Sequence, residues 1–300
     1  MILIISQNNE ATTNEVIRYL MIMKKKFIRI HEDEVFEIRT HKKRIFLQSL
    51  TNRFFLDEIN SVWYRRGKLN FNRLKYSNPS INLDMYETQH WLEDYVRMTL
   101  ESKKHINKES TCHINKLTVL ERAKDFGFDV PEYFLAENTE EVEINKTIVK
   151  TIGGNVMLEE IKKDYGGFMY TSIVEKEEKN DFFITFFQEK IEKDFEIRTF
   201  YLNTKCWSMA IFSQNDQQTK IDFRKYNDKK PNRNVPYQLP KHIEEKINLL
   251  MQSLDLNCGS IDFIKKENKF YFLEINPIGQ FLGLSNICNY QLERKIAEYL

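Results

Sequence analysis

The sequence predicts an α/β protein built from several lobes, and three features point to it. The chain opens as strand, helix, strand. Its middle gathers four of the nine glycines between residues 153 and 167. Its last third carries an apolar hairpin that presents oxygen ligands, Asp262, Glu274 and Asn276. With 300 residues the chain has room for about two domains, or for one compound unit of several lobes.

Residues 2–5 are expected as a buried strand, 12–23 as the helix that follows, and 27–30 as the next strand. Residues 44–56 read as a hairpin or short strand pair, and 61–64 as a strand ending at Arg65-Arg66-Gly67. The clearest long helix is 82–102, with Met85, Leu92, Tyr95, Val96 and Leu100 on one side. Residues 103–112 are polar and read as a connector. Asn115 caps a helix running through Phe126, with Leu117, Leu120 and Ala123 inward and Gly127 just past its end. A short strand at 148–150 precedes Gly153-Gly154 and Gly166-Gly167, a window suited to close approach by phosphate. Strands follow at 182–188, 195–202 and 206–213, then a long polar loop at 214–236. Pro240 opens a helix carrying Ile243, Ile247, Leu250, Met251 and Leu254. Residues 260–264 and 269–275 pair as a hairpin across Lys266-Glu-Asn268.

Composition narrows the function classes. Lys+Arg is 45 against 44 Asp+Glu, so no bulk basic field invites nucleic acid. The cysteines at 112, 206, 258 and 288 form no C-x-x-C pair, and no His cluster has zinc spacing. Reduced, structural cysteines and a cytoplasmic setting are expected. The apolar run 1–5 is too short for a secretory core, and no run approaches transmembrane length.

The C-terminal hairpin carries the most chemistry. Strand alternation puts Phe272, Glu274 and Asn276 on one face. A three-residue turn pairs Lys265 with Lys269, and Asp262 then faces Phe272 and lies diagonal to Glu274. Carboxylates on an apolar hairpin are costly unless paired. Asp262, Glu274 and Asn276 supply only oxygen, which suits Mg²⁺ completed by phosphates. The competing reading satisfies each carboxylate with Lys or backbone donors. Lys150, on a strand beside glycines, can hold phosphate as a point charge, although the Walker A pattern is absent. The strand ending Gln188-Glu189-Lys190-Ile191 offers backbone groups and a wall to a flat heterocycle. Glu196 and Arg198 share a strand face, where they can serve ribose and a phosphoryl group or form a cross-strand salt bridge at the surface. Asp222 and Arg224 are a further anion clamp or part of a solvated loop. Arg65 and Arg66 either face an acidic substrate or end an exposed strand.

Taken in chain order, the phosphate Lys, glycine window, Gln-Glu-x-Ile, Glu-x-Arg, Asp and Glu-x-Asn-Pro resemble the ATP-grasp superfamily over roughly residues 115–300. Val62-Trp-Tyr-Arg-Arg66, Asn115-Lys-Leu117, Asp222-Phe-Arg224 and Phe272-Leu-Glu-Ile-Asn-Pro277 extend the likeness over nearly the whole chain. With these the chain resembles graspetide synthetases, the microviridin-type peptide macrocyclases, and above all the grasp-with-spasm maturases. The resemblance implies a three-lobed ATP-grasp fold: an N-terminal pre-ATP-grasp domain at 1–114, a central lobe at 115–186 and a C-terminal lobe at 187–300. It implies ATP and Mg²⁺ as cofactors, with Lys150 on phosphate, 188–191 on adenine and Glu196 on ribose. Asp262, Glu274 and Asn276 would bind Mg²⁺, Arg198, Lys150 and Arg224 would serve the reacting groups, and Arg65, Arg66, Asp222 and Arg224 would face substrate. The implied partner is a ribosomal precursor peptide whose Asp or Glu side chains are phosphorylated and closed onto Ser, Thr or Lys. Its leader would dock near residues 197–213 and 240–254, and homodimers are common in such families. Two features depart from related glutamate ligases: Glu196 stands where they have Asp, and 214–236 aligns poorly. Two other readings are a ligase adding free amino acids and a peptide-binding protein on a degenerate frame; intact Asp262, Glu274 and Asn276 argue against the latter.

Overall fold

The computed structural model describes the chain apart from residues 154–156, 163, 164, 169, 179 and 226, with backbone alone at 157–162 and 165–168. The N-terminal part begins with β1 (Ile2–Ser6), buried at every position, and α1 (Ala11–Ile22). Glu10 starts α1 by accepting the Thr13 N–H, and Val16 and Leu20 face inward. Strands β2 (Phe27–His31), β3 (Val35–His41), β4 (Arg44–Gln48) and β5 (Arg53–Phe55) follow. The segment is completed by β6 (Ser61–Tyr64), β7 (Asn70–Phe71), α2 (Pro79–Glu101) and β8 (Lys104–Ile106). A parallel sheet has the order β2-β1-β6-β8, and a second sheet the order β5-β4-β3-β7. The chain leaves β1 toward β2 on one side and returns as β6 on the other. In α/β sheets such a reversal opens a crevice at the carboxyl ends of the strands, and Arg65 and Arg66 stand there, their N–H groups bonded to Ile5 O.

Two expectations change here. The polar stretch 103–112 is not only a connector, because three of its residues form β8. A strand that short carries no readable alternation. On α2 the buried residues are Glu93, Val96 and Leu100, while Leu92 and Tyr95 are 42% and 55% exposed. Glu93 takes the inward position because Arg73 pairs with it at 2.8 Å and Arg97 at 3.6 Å. A paired carboxylate facing the core rotates the apparent apolar stripe away from the real one.

The middle of the chain runs α3 (Lys116–Asp125), β9 (Tyr133–Ala136), β10 (Thr147–Lys150), β11 (Met157–Lys162), β12 (Tyr165–Phe168), β13 (Ser172–Ile173) and β14 (Thr185–Glu189). An antiparallel sheet has the order β13-β10-β14-β9, and β11 pairs with β12 alone. Gly166 and Gly167 lie in β12, while Gly154 of the expected phosphate window lies outside the described residues.

The last part supplies β15 (Phe195–Leu202), β16 (Lys205–Phe212), β17 (Arg233–Tyr237), α4 (Lys241–Ser253), β18 (Cys258–Lys266), β19 (Lys269–Asn276), α5 (Leu282–Cys288) and α6 (Leu292–Tyr299). Its sheet has the order β17-β16-β15-β18-β19. The expected loop 214–236 is therefore shorter, since its end is the edge strand β17. Pro236, which has no N–H to donate, is tolerated at a sheet edge.

This five-stranded sheet positions the site. One face is covered by α3 and α4, where Val119, Leu120, Ile243, Ile247 and Met251 pack on Ile197, Phe263, Phe272 and Ile275. Burying each large side chain contributes about 1.5–3 kcal/mol. The opposite face shares a core at one end with the N-terminal sheet: Phe200, Met209 and Ile211 meet Ile4, Trp63 and Ile106. Glu196, Arg198, Asp262 and Glu274 lie on that same face beyond the shared core. Among the described residues no helix is long and apolar enough to cross a membrane.

Candidate active site

The hairpin differs from its sequence reading in a way that creates the site. Its turn is the two residues Glu267-Asn268, so Lys266 pairs with Lys269 and Phe263 with Phe272. The register then slips: Asp262 pairs with Glu274, leaving Leu273 as a bulge. One extra residue inverts the alternation. Phe272 therefore does not share a face with Glu274 and Asn276. It enters the helix-covered core with Ile275, and Glu274 points to the other face. Asp262 stands directly opposite Glu274 rather than diagonal to it, and Ser260 stands opposite Asn276.

The neighbouring strand β15 extends the row. Arg198 is in register with Asp262, and its Nε and Nη2 donate to Oδ1 and Oδ2 at 2.9 and 2.8 Å. A cross-strand ion pair does form, but largely enclosed within the candidate site rather than at the surface as the competing reading has it. The Asp262 charge raises the Arg198 pKa, so the guanidinium is cationic throughout.

Across from this row stand two lysines. Lys116 contacts Glu274 Oε2 at 2.9 Å and donates to Thr151 O at 3.1 Å. Lys150 donates to Gln188 Oε1 at 2.8 Å. Burial would raise the Glu274 pKa, but Lys116 and Lys150 outweigh it and hold the carboxyl below its ordinary range. Burial pushes the Lys150 ammonium down to about 8, with Glu274 opposing the shift. Lys116 was not singled out from sequence. Its signal was its place directly after Asn115, whose side chain accepts the Leu117 and Thr118 N–H groups and so fixes where α3 begins.

Around this centre lie the other expected residues. Gln188 is buried, and its Nε2 has no partner among the described residues, so an acceptor on a bound ligand would satisfy it. Glu189 is exposed and Ile191 buried; the Glu189 and Lys190 N–H groups bond Glu132 O and Lys146 O at 2.7 Å. The Lys190 side chain turns to Glu192 at 2.9 Å. Glu196 is held by Lys193 at 2.5 Å and Ser213 at 2.6 Å, and burial raises its pKa against the pull of Lys193. Asp222 accepts Arg224 Nε at 2.9 Å and Nη2 at 2.6 Å, and also the Thr171 N–H at 3.0 Å. Burial would raise the Asp222 carboxyl, but Arg224 and the backbone donors hold it at about 2. The fields of Asp222 and Arg224 both reach Lys150.

The two strand-end arginines separate. Arg66 is half-buried, and its Nε has no partner among the described residues. Arg65 is buried rather than at an exposed strand end, and is bonded to Glu10 and to the carbonyls of Ile278 and Gly279. Glu10, Thr12, Arg65, Arg198, Phe223 and Gln280 line a cavity of about 360 Å³.

The donor chemistry fits Mg²⁺ with a nucleotide. Among the described residues no three His, Cys, Asp or Glu side chains converge into a metal cage. Two carboxylates and an amide, Asp262, Glu274 and Asn276, are what the β18–β19 hairpin offers there. Mg²⁺ is commonly bound by so few protein oxygens, with phosphates and water completing its shell.

No protein-family model matches the chain, and no curated protein matches it. Solved structures do. The macrocyclase MdnC from Microcystis aeruginosa MRC, bound with precursor peptide MdnA, is 24% identical over 100% of this chain and 98% of its own, with a TM-score of 0.74. A RiPP-associated ATP-grasp ligase of Chryseobacterium gregarium, in complex with ADP and a leader and core peptide, is also 24% identical. It covers 99% of this chain and 94% of its own, with a TM-score of 0.75. The ATP-grasp ligase PsnB, complexed with a minimal precursor, is 14% identical over 99% and 96%, with a TM-score of 0.68. Along its whole length, this chain has the ATP-grasp fold.

Proposed function

We propose that the protein is an ADP-forming peptide ligase that closes macrocycles on a ribosomally made precursor. Its lobes would be residues 1–114, 115–186 and 187–300. The observation that carries the reading is the row Arg198, Asp262, Glu274 across three neighbouring strands, faced by Lys116 and Lys150. Such a row concentrates positive charge and hard oxygen donors where a polyphosphate and a carboxylate must meet. The peptides bound to MdnC and to the Chryseobacterium ligase support a peptide as the second substrate.

The chemistry follows from the weakness of a carboxylate as an electrophile. A substrate Asp or Glu oxygen attacks the γ-phosphorus of ATP, and ADP leaves with the bridging oxygen. A Ser or Thr hydroxyl, or a Lys amine, then attacks the acyl carbon. The bond from carbon to the phosphate oxygen breaks, inorganic phosphate departs, and the nucleophile gives up a proton. The net change is loss of one water from the peptide per ATP hydrolysed to ADP and phosphate. Lys116 and Lys150 hold phosphate oxygens, and Gln188 with the 188–191 segment receives the base. Glu196 reaches the ribose. Asp262, Glu274 and Asn276 would hold Mg²⁺, which neutralises charge on the phosphates when bound. Arg198 is placed to stabilise charge developing on the transferred group, and Arg224 flanks it. Positioning supplies most of the acceleration in such transfers.

Trapping tests this reading. With ATP, Mg²⁺ and an acidic precursor peptide, added hydroxylamine should convert the acyl phosphate to a hydroxamate, visible by mass spectrometry on an Asp or Glu. ATP turnover with no hydroxamate and no ring would remove the activated-carboxylate mechanism.

A further inference from the structure

The turn that follows Asn276 is held from outside its own sheet. The Asn107 Nδ2 donates to Pro277 O at 2.7 Å. Arg65 Nη1 donates to Ile278 O and, at 3.1 Å, to Gly279 O. Ser260 Oγ donates to Gln280 O at 3.0 Å. Four consecutive carbonyls therefore each accept a side-chain hydrogen bond, and three of those bonds come from the N-terminal part of the chain.

Both N-terminal donors are themselves fixed. The Arg65 side chain is 1% exposed and is locked by Glu10, with Nη2 to Oε1 at 3.0 Å and Nε to Oε2 at 3.4 Å. Glu10 is in turn anchored by the Thr13 N–H at 2.9 Å. The Asn107 amide also bridges Cys258 O and the Cys258 N–H, each at 3.1 Å. Within the turn, Asn276 Oδ1 accepts the Ile278 N–H at 3.1 Å, so the placement of Ile278 bears directly on the Asn276 amide. Gly279 has φ +61°, and a Cβ there would meet Phe200 at 3.1 Å, so the turn lies hard against β15. A guanidinium buried beside one carboxylate is weak evidence for stability. Spending its remaining donors on two carbonyls of one turn is what a positioning group does.

We infer that Arg65 and Asn107 are positioning residues. From the N-terminal lobe they hold the Asn276–Gly279 turn and thereby set the Asn276 corner of the Mg²⁺-nucleotide site. The inference rests on the proposed nucleotide reading of that site. It replaces a role for Arg65 in gripping an acidic substrate, because four of its five N–H donors are already committed and the side chain is 1% exposed.

The test uses full-length protein and two variants. Arg65→Lys keeps the charge and loses the fork; Asn107→Ala removes the other N-terminal donor and stands alone if Arg65→Lys does not fold. Hydrogen exchange of the segment 276–281, measured without nucleotide, should quicken at least about tenfold in each. The Mg²⁺ concentration that half-saturates ADP-induced thermal stabilisation should rise about tenfold, as supporting shells of metal ligands commonly do when mutated. The KM for peptide should stay within about twofold of wild type. Unchanged exchange and unchanged Mg²⁺ dependence, with a raised peptide KM, would overturn the inference and return Arg65 to the substrate. Wild-type protein that ignores Mg²⁺ and ADP would defeat the proposed function, while exchange would still decide whether the turn is held by Arg65 and Asn107.

Discussion

Two arginine–carboxylate pairs each put their arginine on one cavity and differ in almost everything else. Arg198 and Asp262 stand across two strands of the large sheet, with side chains 22% and 15% exposed. Arg65 and Glu10 join a strand end to a helix start, at 1% and 12%. The buried pair also binds two backbone carbonyls. The open pair bonds within itself through Nε and Nη2, stands in one row with Glu274 and is faced by Lys116 and Lys150. On the proposed reading, identical chemistry serves construction in one place and reaction in the other, and the difference lies in where the remaining donors go.

The largest expected effect falls on the open pair. Asp262→Asn and Glu274→Gln should lower ATP turnover by at least about 10³-fold with the fold retained by circular dichroism. Arg198→Ala should lower kcat by about 10²–10³-fold while ATP affinity moves far less, because its proposed work is at the transition state. Near-normal rates in these variants would misplace the site.

Stability should show the reverse ranking. Arg65→Ala strips the part-buried Glu10 of its cation and two turn carbonyls of their donor, at a cost of about 3–5 kcal/mol. Arg198→Ala breaks a less enclosed pair, with no turn carbonyls known to depend on the arginine, and should cost less. Denaturant midpoints compare the two, and equal losses would erase the distinction.

A smaller effect concerns pH. Lys150 titrates near 8, so it is charged below that value and neutral above it. In its proposed role, its attraction for phosphate is therefore present at pH 7 and fades toward pH 9. Bound phosphate restores the charge, so nucleotide binding near pH 8–9 should take up a proton. Calorimetry in buffers of different ionisation enthalpy reads that uptake, and Lys150→Arg should abolish it. Smaller still, Arg66→Ala should raise the KM for an acidic peptide a few-fold and shift stability by no more than about 0.5 kcal/mol.

Much of the architecture was legible because local signals agree with the fold. The β1-α1-β2 opening, the Asn115-capped helix and the strand pairs around β15 all announce themselves in residue type and spacing. What stayed hidden depends on register and on partners distant in sequence. Leu273 looks like any other apolar strand residue, yet its bulge turns Glu274 from the core face to the site. Arg65 reads as exposed because its partners, Glu10 and Ile278, lie 55 and 213 residues away. Glu93 disguised the inner face of α2 for the same reason, its neutralising Arg73 sitting 20 residues earlier. The site residues themselves were visible as chemical types, whereas the contact of Lys116 with Glu274 required the fold.

The most direct measurement is the intact mass of a leader-bearing precursor peptide, rich in Thr and Glu, after incubation with ATP, Mg²⁺ and this protein, with ADP counted in parallel. The account predicts loss of one water and release of one ADP for each ring formed, both absent with Glu274→Gln. A peptide that gains the mass of an amino acid, or a verified partner peptide that leaves the reaction unchanged in mass, would contradict it.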